Sequence, residues 1–195
     1  MSSAELFTLI QGTENSPIRE VFENYYGRLI PIANRYAKNQ QQAEELFHQS
    51  FNACVTKMMH PGSITLKNST SDLDQFFYKE FILEAIRFIK NIRSEYYVAS
   101  TVYAPGENST KNYNLFENND LIDFAEVEND VLIKCLQLLV PSQRLVFNLH
   151  VVDGFTLEET ANMLESSEGT VKSNLEKARF NLQKNIEKTL KSVKV

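Results

Sequence analysis

Apolar residues recur every three to four positions along most of this chain, the spacing that places them on one side of an α-helix. Ser16 and Pro17 predict the start of a first helix, because serine is a favoured N-cap and proline is tolerated at the first helical position. The apolar stripe that follows contains Pro31, which predicts a kink but not an end of the helix. A second stripe predicts a helix over about 40–59.

A third helix is predicted from about residue 72 to Tyr97. The periodic pattern then fades over residues 98–125, where Asn, Gly, Pro and Ser accumulate, and this stretch predicts a flexible acidic linker. Helical spacing returns after it. The expected fold is therefore all-α, with two small helical domains over 1–97 and 126–195 joined by the linker.

The second domain contains a helix-turn-helix pattern. Pro141 opens one helix, and Thr156 with Glu159 predicts a capping box at the start of the next. A three-residue turn over 165–167 then leads into the last helix, with Ser167 as its expected N-cap. The apolar residues of that helix fall on one narrow stripe: Val171, Leu175, Ala178 and Leu182. Its polar and basic outer face suits the major groove of duplex DNA.

The charge distribution sharpens this picture. The chain has a net charge of −5, but residues 168–195 contain 7 basic and 3 acidic side chains. A local positive surface is what neutralises phosphates, so an acidic chain can still bind nucleic acid. Residues 126–167 contain 2 basic and 7 acidic side chains, which suits contacts with proteins.

Other chemistry finds little support in the sequence. Cys54 and Cys135 lie on apolar stripes and are predicted to be core residues, and the three histidines are scattered. We find no spacing typical of a metal site, no nucleophile with its base and no glycine-rich phosphate loop. The N-terminus does not resemble a secretory signal, and no apolar run is long enough to span a bilayer. A cytoplasmic, non-enzymatic protein without a cofactor is expected.

Residues 141–183, PSQRLVFNLHVVDGFTLEETANMLESSEGTVKSNLEKARFNLQ, resemble the C-terminal DNA-binding region of bacterial sigma-70 family transcription factors. The segment GTVKS followed by KAR is the most specific part of this resemblance. It implies that the last helix reads the −35 promoter element through its exposed residues: Thr170, Lys172, Ser173, Asn174, Glu176, Lys177 and Arg179. Glu176 would either accept a hydrogen bond from a cytosine amino group or repel phosphate.

The resemblance extends to the first domain. Residues 43–51 read AEELFHQSF, similar to the A-E-D-L-x-Q-x-x-F hallmark of the polymerase-binding helices in that family. Two such domains with only a linker between them resemble the extracytoplasmic-function (ECF) group of sigma factors. The resemblance implies that the following residues contact core RNA polymerase: Ala43, Glu44, Glu45, Leu46, Gln49 and Phe51.

The third helix contains cations that the resemblance assigns to the −10 element. These residues fall within about 120° of one another: Lys79, Arg87, Lys90 and Arg93. Tyr97 shares their side, and cations beside an aromatic ring are how single-stranded DNA is held. Leu83 and Ile86 lie in the same sector, so part of this face could instead belong to the core.

The leading interpretation is a transcription initiation factor with core RNA polymerase and promoter DNA as partners, for which the resemblance also allows an anti-sigma factor. One alternative is a sigma-like interaction module that binds polymerase or an inhibitor without initiating transcription. Another is a helix-turn-helix repressor that never contacts polymerase. The family usually has glycine where this chain has Glu165, so a positive φ there would cost up to about 1 kcal/mol.

Overall fold

The computed structural model describes residues 15–59, 70–91 and 127–193. All regular structure within these ranges is helical, which confirms the predicted all-α fold class. The helices are, in chain order, α1 (Asn15–Tyr36), α2 (Gln40–Met59), α3 (Thr70–Asn91), α4 (Asn129–Gln137), α5 (Pro141–Phe147), a π-helical segment (Asn148–Val152), α6 (Leu157–Leu164) and α7 (Glu168–Val193). None of the helices in these ranges is long and apolar enough to cross a membrane.

Contacts between Cα atoms divide the chain into two compact units, Met1–Phe88 and Ile89–Val195. The predicted linker over 98–125 lies outside the described residues, as does the expected continuation of the third helix to Tyr97. The boundaries of the two predicted domains therefore stay a prediction.

The first unit is built around aromatic residues contributed by its three described helices. Helix α1 packs against α2, and it continues through Pro31. Phe47 and Phe77 are fully buried, and the ring of Tyr25 stacks on that of Phe77 with centroids 3.9 Å apart. Cys54 is also fully buried, as predicted, and burial raises the pKa of its thiol to about 12. This thiol is therefore inert at neutral pH.

A polar clamp joins α1 to α3 beside this aromatic core. Arg28 donates two hydrogen bonds to the carboxylate of Asp74, at 2.7 and 2.8 Å, and the hydroxyl of Tyr25 donates a third at 2.9 Å. The hydrogen bonds from Arg28 hold the pKa of Asp74 below its ordinary value. Burial and the neighbouring Asp74 carboxylate raise the pKa of Tyr25, so its hydroxyl remains protonated and continues to donate.

The second unit is organised around α7, which packs against α4, α5 and α6. One core cluster joins Cys135 of α4 to Ile186 of α7, both fully buried. Asn181 of α7 also donates a hydrogen bond to Gln143 of α5 at 2.9 Å. Cys135 is thus a core residue, as predicted from its apolar stripe.

Arg144 is a buried charge that the hydrophobic pattern did not indicate. Its side chain is 2% exposed and donates hydrogen bonds to the carbonyls of Gln137 and Leu139, at 2.9 and 2.8 Å. These carbonyls belong to the C-terminal end of α4, where helical carbonyls lack partners and a cation is favoured. Arg144 therefore closes α4 and connects it to α5.

We predict that Asp74→Asn weakens the first unit at neutral pH by about 1 kcal/mol, a value reduced because Arg28 is largely exposed. A carboxyl whose pKa is lowered by folding stabilises the native state at any pH above its ordinary pKa of about 4. That stabilisation is lost as the pH falls through the folded-state pKa. The difference between wild type and variant should therefore narrow in acid.

Amide hydrogen exchange of α1 and α3 in the full chain, measured across this pH range, checks the prediction. Asp130→Asn, at an exposed residue of α4, is the matched control and should leave exchange in α1 and α3 unchanged. Parallel pH profiles for wild type and Asp74→Asn would contradict the assigned role of the clamp.

Candidate nucleic-acid interface

Helix α7 is anchored by the apolar stripe that the sequence predicted. Val171, Leu175 and Ala178 are buried, and Leu182 is half-buried against the cluster that contains Leu136 and Leu139. Ala161 of α6 is buried as well, which allows the two helices of the helix-turn-helix to pack closely. Because one side of α7 is held in the core, its opposite side must face outward.

The turn between α6 and α7 has the geometry of a Schellman motif. Glu165 adopts a left-handed conformation with φ 53° and ψ 46°. The amide of Glu165 donates a hydrogen bond to the carbonyl of Asn162 at 3.2 Å, and the amide of Ser166 donates one to the carbonyl of Ala161 at 2.9 Å. The condition for strain stated from the sequence, a positive φ at Glu165, is therefore met, and the strain falls on a residue that carries a Cβ.

Both helices of the motif begin with the caps that the sequence predicted. Thr156 accepts a hydrogen bond from the amide of Glu159 at 3.1 Å, and the Glu159 carboxylate accepts one from the amide of Thr156 at 2.8 Å. Ser167 accepts a hydrogen bond from the amide of Thr170 at 3.1 Å. These caps fix where each helix starts and therefore the register of the outer face of α7.

The outer face of α7 presents most of the predicted DNA-binding residues to solvent. The exposed members are Thr170, Lys172, Ser173, Glu176 and Arg179. Lys177 is half-buried, and so is Asn174. At about 100° per residue, Lys172 and Arg179 lie on one flank, Lys177 on the other, and Ser173 with Glu176 between them. Cations at both edges with polar groups in the middle suit a groove that has phosphates on its two rims.

Asn174 is less available than the sequence suggested. Its side-chain amide donates to the carbonyl of Thr170 at 3.1 Å, and the Thr170 hydroxyl in turn lies 2.9 Å from that of Ser167. Both side chains therefore already have partners at the start of α7. They would have to exchange these hydrogen bonds to reach a base.

The cations predicted on α3 are only partly available. Lys79 and Arg87 are exposed, and Lys90 is half-buried. Arg87 forms an ion pair with Glu84, one turn earlier on the same helix. Arg93 lies outside the described residues. Ile86, which shares this sector, is buried, so the core alternative is correct for that part of the face.

The residues predicted to contact polymerase divide into a buried group and an accessible group. Ala43, Leu46 and Phe51 belong to the core of the first unit, so their side chains are not available for a direct contact. This corrects the expectation for these three, because the apolar half of the AEELFHQSF segment packs inward. Glu45 and Gln49 are exposed, and Glu44 is half-buried. Glu45 and Gln49 are four residues apart and are therefore neighbours on one exposed face of α2.

A comparison with protein families identifies the motif. Residues 129–182 match the family described as Sigma-70, region 4. This part of the C-terminal unit is thus similar to sigma-70 region 4, and it is called the region 4 domain below. The match confirms the resemblance predicted from the GTVKS and KAR segments, and it begins at α4 and ends within α7.

Comparisons over the whole chain add little to this assignment. A search of curated proteins finds no match. Among solved structures, the chain is similar to the sigma factor RpoE of Bartonella quintana, solved in complex with the anti-sigma factor NepR. The two share 18% identity over 87% of this chain and 96% of that one, with a TM-score of 0.44. A similarity of this size carries no argument about function.

Arg144 and the π-helical segment are parts of the region 4 domain that sequence reasoning did not identify. The segment ends at Val152 and is followed by Gly154, whose φ is 81°. The amide of Phe155 donates a hydrogen bond to the carbonyl of Leu149 at 3.0 Å. Thr160 is fully buried, and its hydroxyl has no hydrogen-bond partner among the described residues. No hydropathy pattern distinguishes a π-helical turn from an α-helical one.

We predict that Glu165→Gly stabilises the region 4 domain by a few tenths to about 1 kcal/mol, because glycine adopts a positive φ without the clash of a Cβ. Gly154→Ala should be destabilising for the converse reason, although no neighbouring atom lies within 4 Å of the added Cβ. Thermal unfolding of the full chain, followed by circular dichroism, measures both effects. If Glu165→Gly lowers the melting temperature, strain at Glu165 does not limit the stability of the domain.

Proposed function

We propose that this chain is a sigma factor of the ECF type, a non-enzymatic transcription initiation factor that binds core RNA polymerase and directs it to particular promoters. The observation that carries the proposal is the exposed outer face of α7 within a region 4 domain. Lys172, Lys177 and Arg179 lie on that face, and none of the three forms an ion pair within the described part of the chain. Cations without an ion-pair partner can bind phosphates, and the polar side chains beside them can reach base edges, so this face suits a DNA duplex.

In this proposal the two units have separate tasks. The region 4 domain binds the −35 element, with phosphate contacts at the flanks of α7 and base contacts from Ser173 and Glu176. The first unit binds core polymerase through the accessible side of α2, at Glu45 and Gln49, and contacts the −10 element through Lys79 and Arg87. The family resemblance also allows an anti-sigma partner, which affinity capture on the purified chain would test.

A second candidate function is a sigma-like interaction module that binds polymerase without initiating transcription. The specific observation in its favour is the weak charge of α3, where Arg87 is paired with Glu84 and Lys90 is half-buried. Run-off transcription with purified core polymerase on genomic fragments distinguishes the two. Discrete starts that require the chain support the initiation factor, whereas polymerase binding without any start supports the module.

We expect Lys172→Glu combined with Lys177→Glu to weaken promoter binding by about 3 kcal/mol, or roughly 100-fold, because two phosphate contacts become repulsive. Affinity for core polymerase should not change. Promoter binding is measured by fluorescence anisotropy with the chain and core polymerase together, and polymerase binding by titration without DNA. The two changes are also made one at a time, and Lys134→Glu, at an exposed lysine of α4, is the control for each of these single variants. Equal losses in both measurements would rule out separate roles for the two units.

The reciprocal experiment changes the exposed side of α2. Glu45→Lys combined with Gln49→Lys should lower affinity for core polymerase at least about tenfold, since charge reversal at an interface is costly. Binding of the free chain to duplex DNA should stay the same. Glu23→Lys combined with Asn24→Lys produces the same change of charge at exposed residues of α1 and is the control. If the two double variants bind polymerase equally well, α2 is not the contact surface.

A further inference from the structure

Helix α7 is longer than the region 4 match. The match ends at Leu182, whereas the helix continues to Val193. The only acidic residue of this C-terminal extension is Glu187, which accepts a hydrogen bond from Gln183 at 3.0 Å. The extension therefore adds positively charged surface that lies beyond the region 4 domain.

The extension is firmly attached to α4. Ile186 is fully buried in the cluster that contains Cys135. Asn185 donates a hydrogen bond to the carbonyl of Cys135 at 3.2 Å, and the Thr189 hydroxyl lies 3.7 Å from the Cys135 sulfur. One side of the extension is thus fixed in the core, so the direction of the opposite side is determined as well.

That opposite side carries a lysine stripe, formed by Lys184, Lys188 and Lys191. All three are exposed, and within the described ranges none of them forms an ion pair. At about 100° per residue they fall within roughly 60° of one another and of Lys177, so they continue one flank of the outer face. Lys184 also sits over the ring of Phe180, with its nitrogen 4.6 Å from the ring centroid.

We propose that the lysine stripe binds the phosphate backbone of duplex DNA next to the element that the first half of α7 reads. This inference rests on the proposed function, since it requires α7 to be seated in a groove. The three lysines span about 10 Å along the helix axis, because Lys184 and Lys191 are seven residues apart at about 1.5 Å per residue. Long lysine side chains spread over this distance can reach neighbouring phosphates of one strand.

The geometry of a groove explains why backbone and not base contacts are expected here. The first residues of the second helix in a helix-turn-helix contact base edges. A major groove winds around the DNA axis, whereas α7 is continuous for 26 residues, or about 39 Å. A helix of that length cannot follow the groove to its end and has to leave it beside one of its rims. The stripe lies on the part of α7 that leaves the groove.

An acidic protein surface is the alternative occupant, and continuity favours DNA over it. The stripe begins where the outer face ends: Lys177 belongs to that face, and Lys184 lies two turns further along the same flank, over the ring of Phe180. A rigid helix that seats Lys172 and Ser173 in the groove brings the stripe to the same duplex without any further rearrangement. A separate protein would need a second binding event at this position.

The experiment compares the wild-type chain with Lys184→Gln/Lys188→Gln/Lys191→Gln, and uses the corresponding triple change to arginine as the control that retains charge. Glutamine keeps the helix propensity, and the sites are exposed, so circular dichroism should be unchanged. The probes are a short duplex selected by the wild-type chain from a random pool and a scrambled duplex of equal length. Affinity for each probe is measured over a series of salt concentrations.

If the stripe binds phosphates, the salt dependence of log affinity loses about 0.9 per contact, or about 2.7 in total, in the glutamine variant. Between about 50 and 200 mM salt the wild type should then lose about 40-fold more affinity than this variant. The arginine variant should behave as wild type. The ratio of affinities for selected and scrambled duplexes should not change, because phosphate contacts carry no sequence information.

Equal salt dependence in wild type and glutamine variant would overturn the inference, even if the variant loses affinity for an acidic protein. The proposed function is tested separately, by whether selection yields a preferred duplex. If selection yields no preferred duplex but the glutamine variant still lowers the salt dependence, the stripe binds DNA and the sigma-factor proposal is wrong. If a preferred duplex exists and the glutamine variant changes nothing, the proposal stands and the stripe has no role in DNA binding.

Discussion

The buried stripe of α7 is the constraint on which the rest of the structure depends. Val171, Leu175 and Ala178 face the core of the second unit, and Ile186 continues the same attachment further along the helix. Burial of side chains of this size contributes about 1.5–3 kcal/mol each for the larger ones, so rotation of the helix about its axis would be costly. The position of every outer-face cation follows from this one packing arrangement.

Two turns with related geometry deliver α7 to that position. Both Gly154 and Glu165 adopt a positive φ, one after the π-helical segment and the other after α6. Glu165 and Glu168 also put negative charge near the N-terminus of α7, where it favours the helix but opposes a phosphate. The positive charge of this helix therefore lies further along, at Lys172 and beyond. In the proposed complex with DNA, phosphate contacts would therefore lie away from the turn, toward the C-terminal part of the helix.

The starts of α5, α6 and α7 were predictable because they depend on local chemistry. The capping box at Thr156, the N-cap at Ser167 and the strained turn at Glu165 all follow from residues within one helical turn of the feature they produce. Arg144 was not predictable in the same way, since its partners are carbonyls whose exposure depends on where α4 ends. The availability of the α3 cations also depends on neighbours, because Glu84 pairs with Arg87 only once the helix has formed.

The polymerase-binding prediction shows a different limit. A family motif marks a conserved segment of chain, but it does not separate residues that maintain the fold from residues that contact a partner. Leu46 and Phe51 match the motif and are buried in the core, whereas Glu45 and Gln49 belong to the same segment and are exposed. Alternation of buried and exposed positions along α2 resolves the two groups only once the packing partner of the helix is known.

Site-directed DNA cleavage tests the central claim, that the outer face of α7 enters promoter DNA while the chain is bound to polymerase. Ser173→Cys provides an exposed thiol for a tethered cleavage reagent, and Cys54 and Cys135 are fully buried. With core polymerase and a promoter fragment, cleavage should be confined to the −35 element. Cleavage elsewhere on the fragment, or none from a complex that still contains polymerase and DNA, would contradict it.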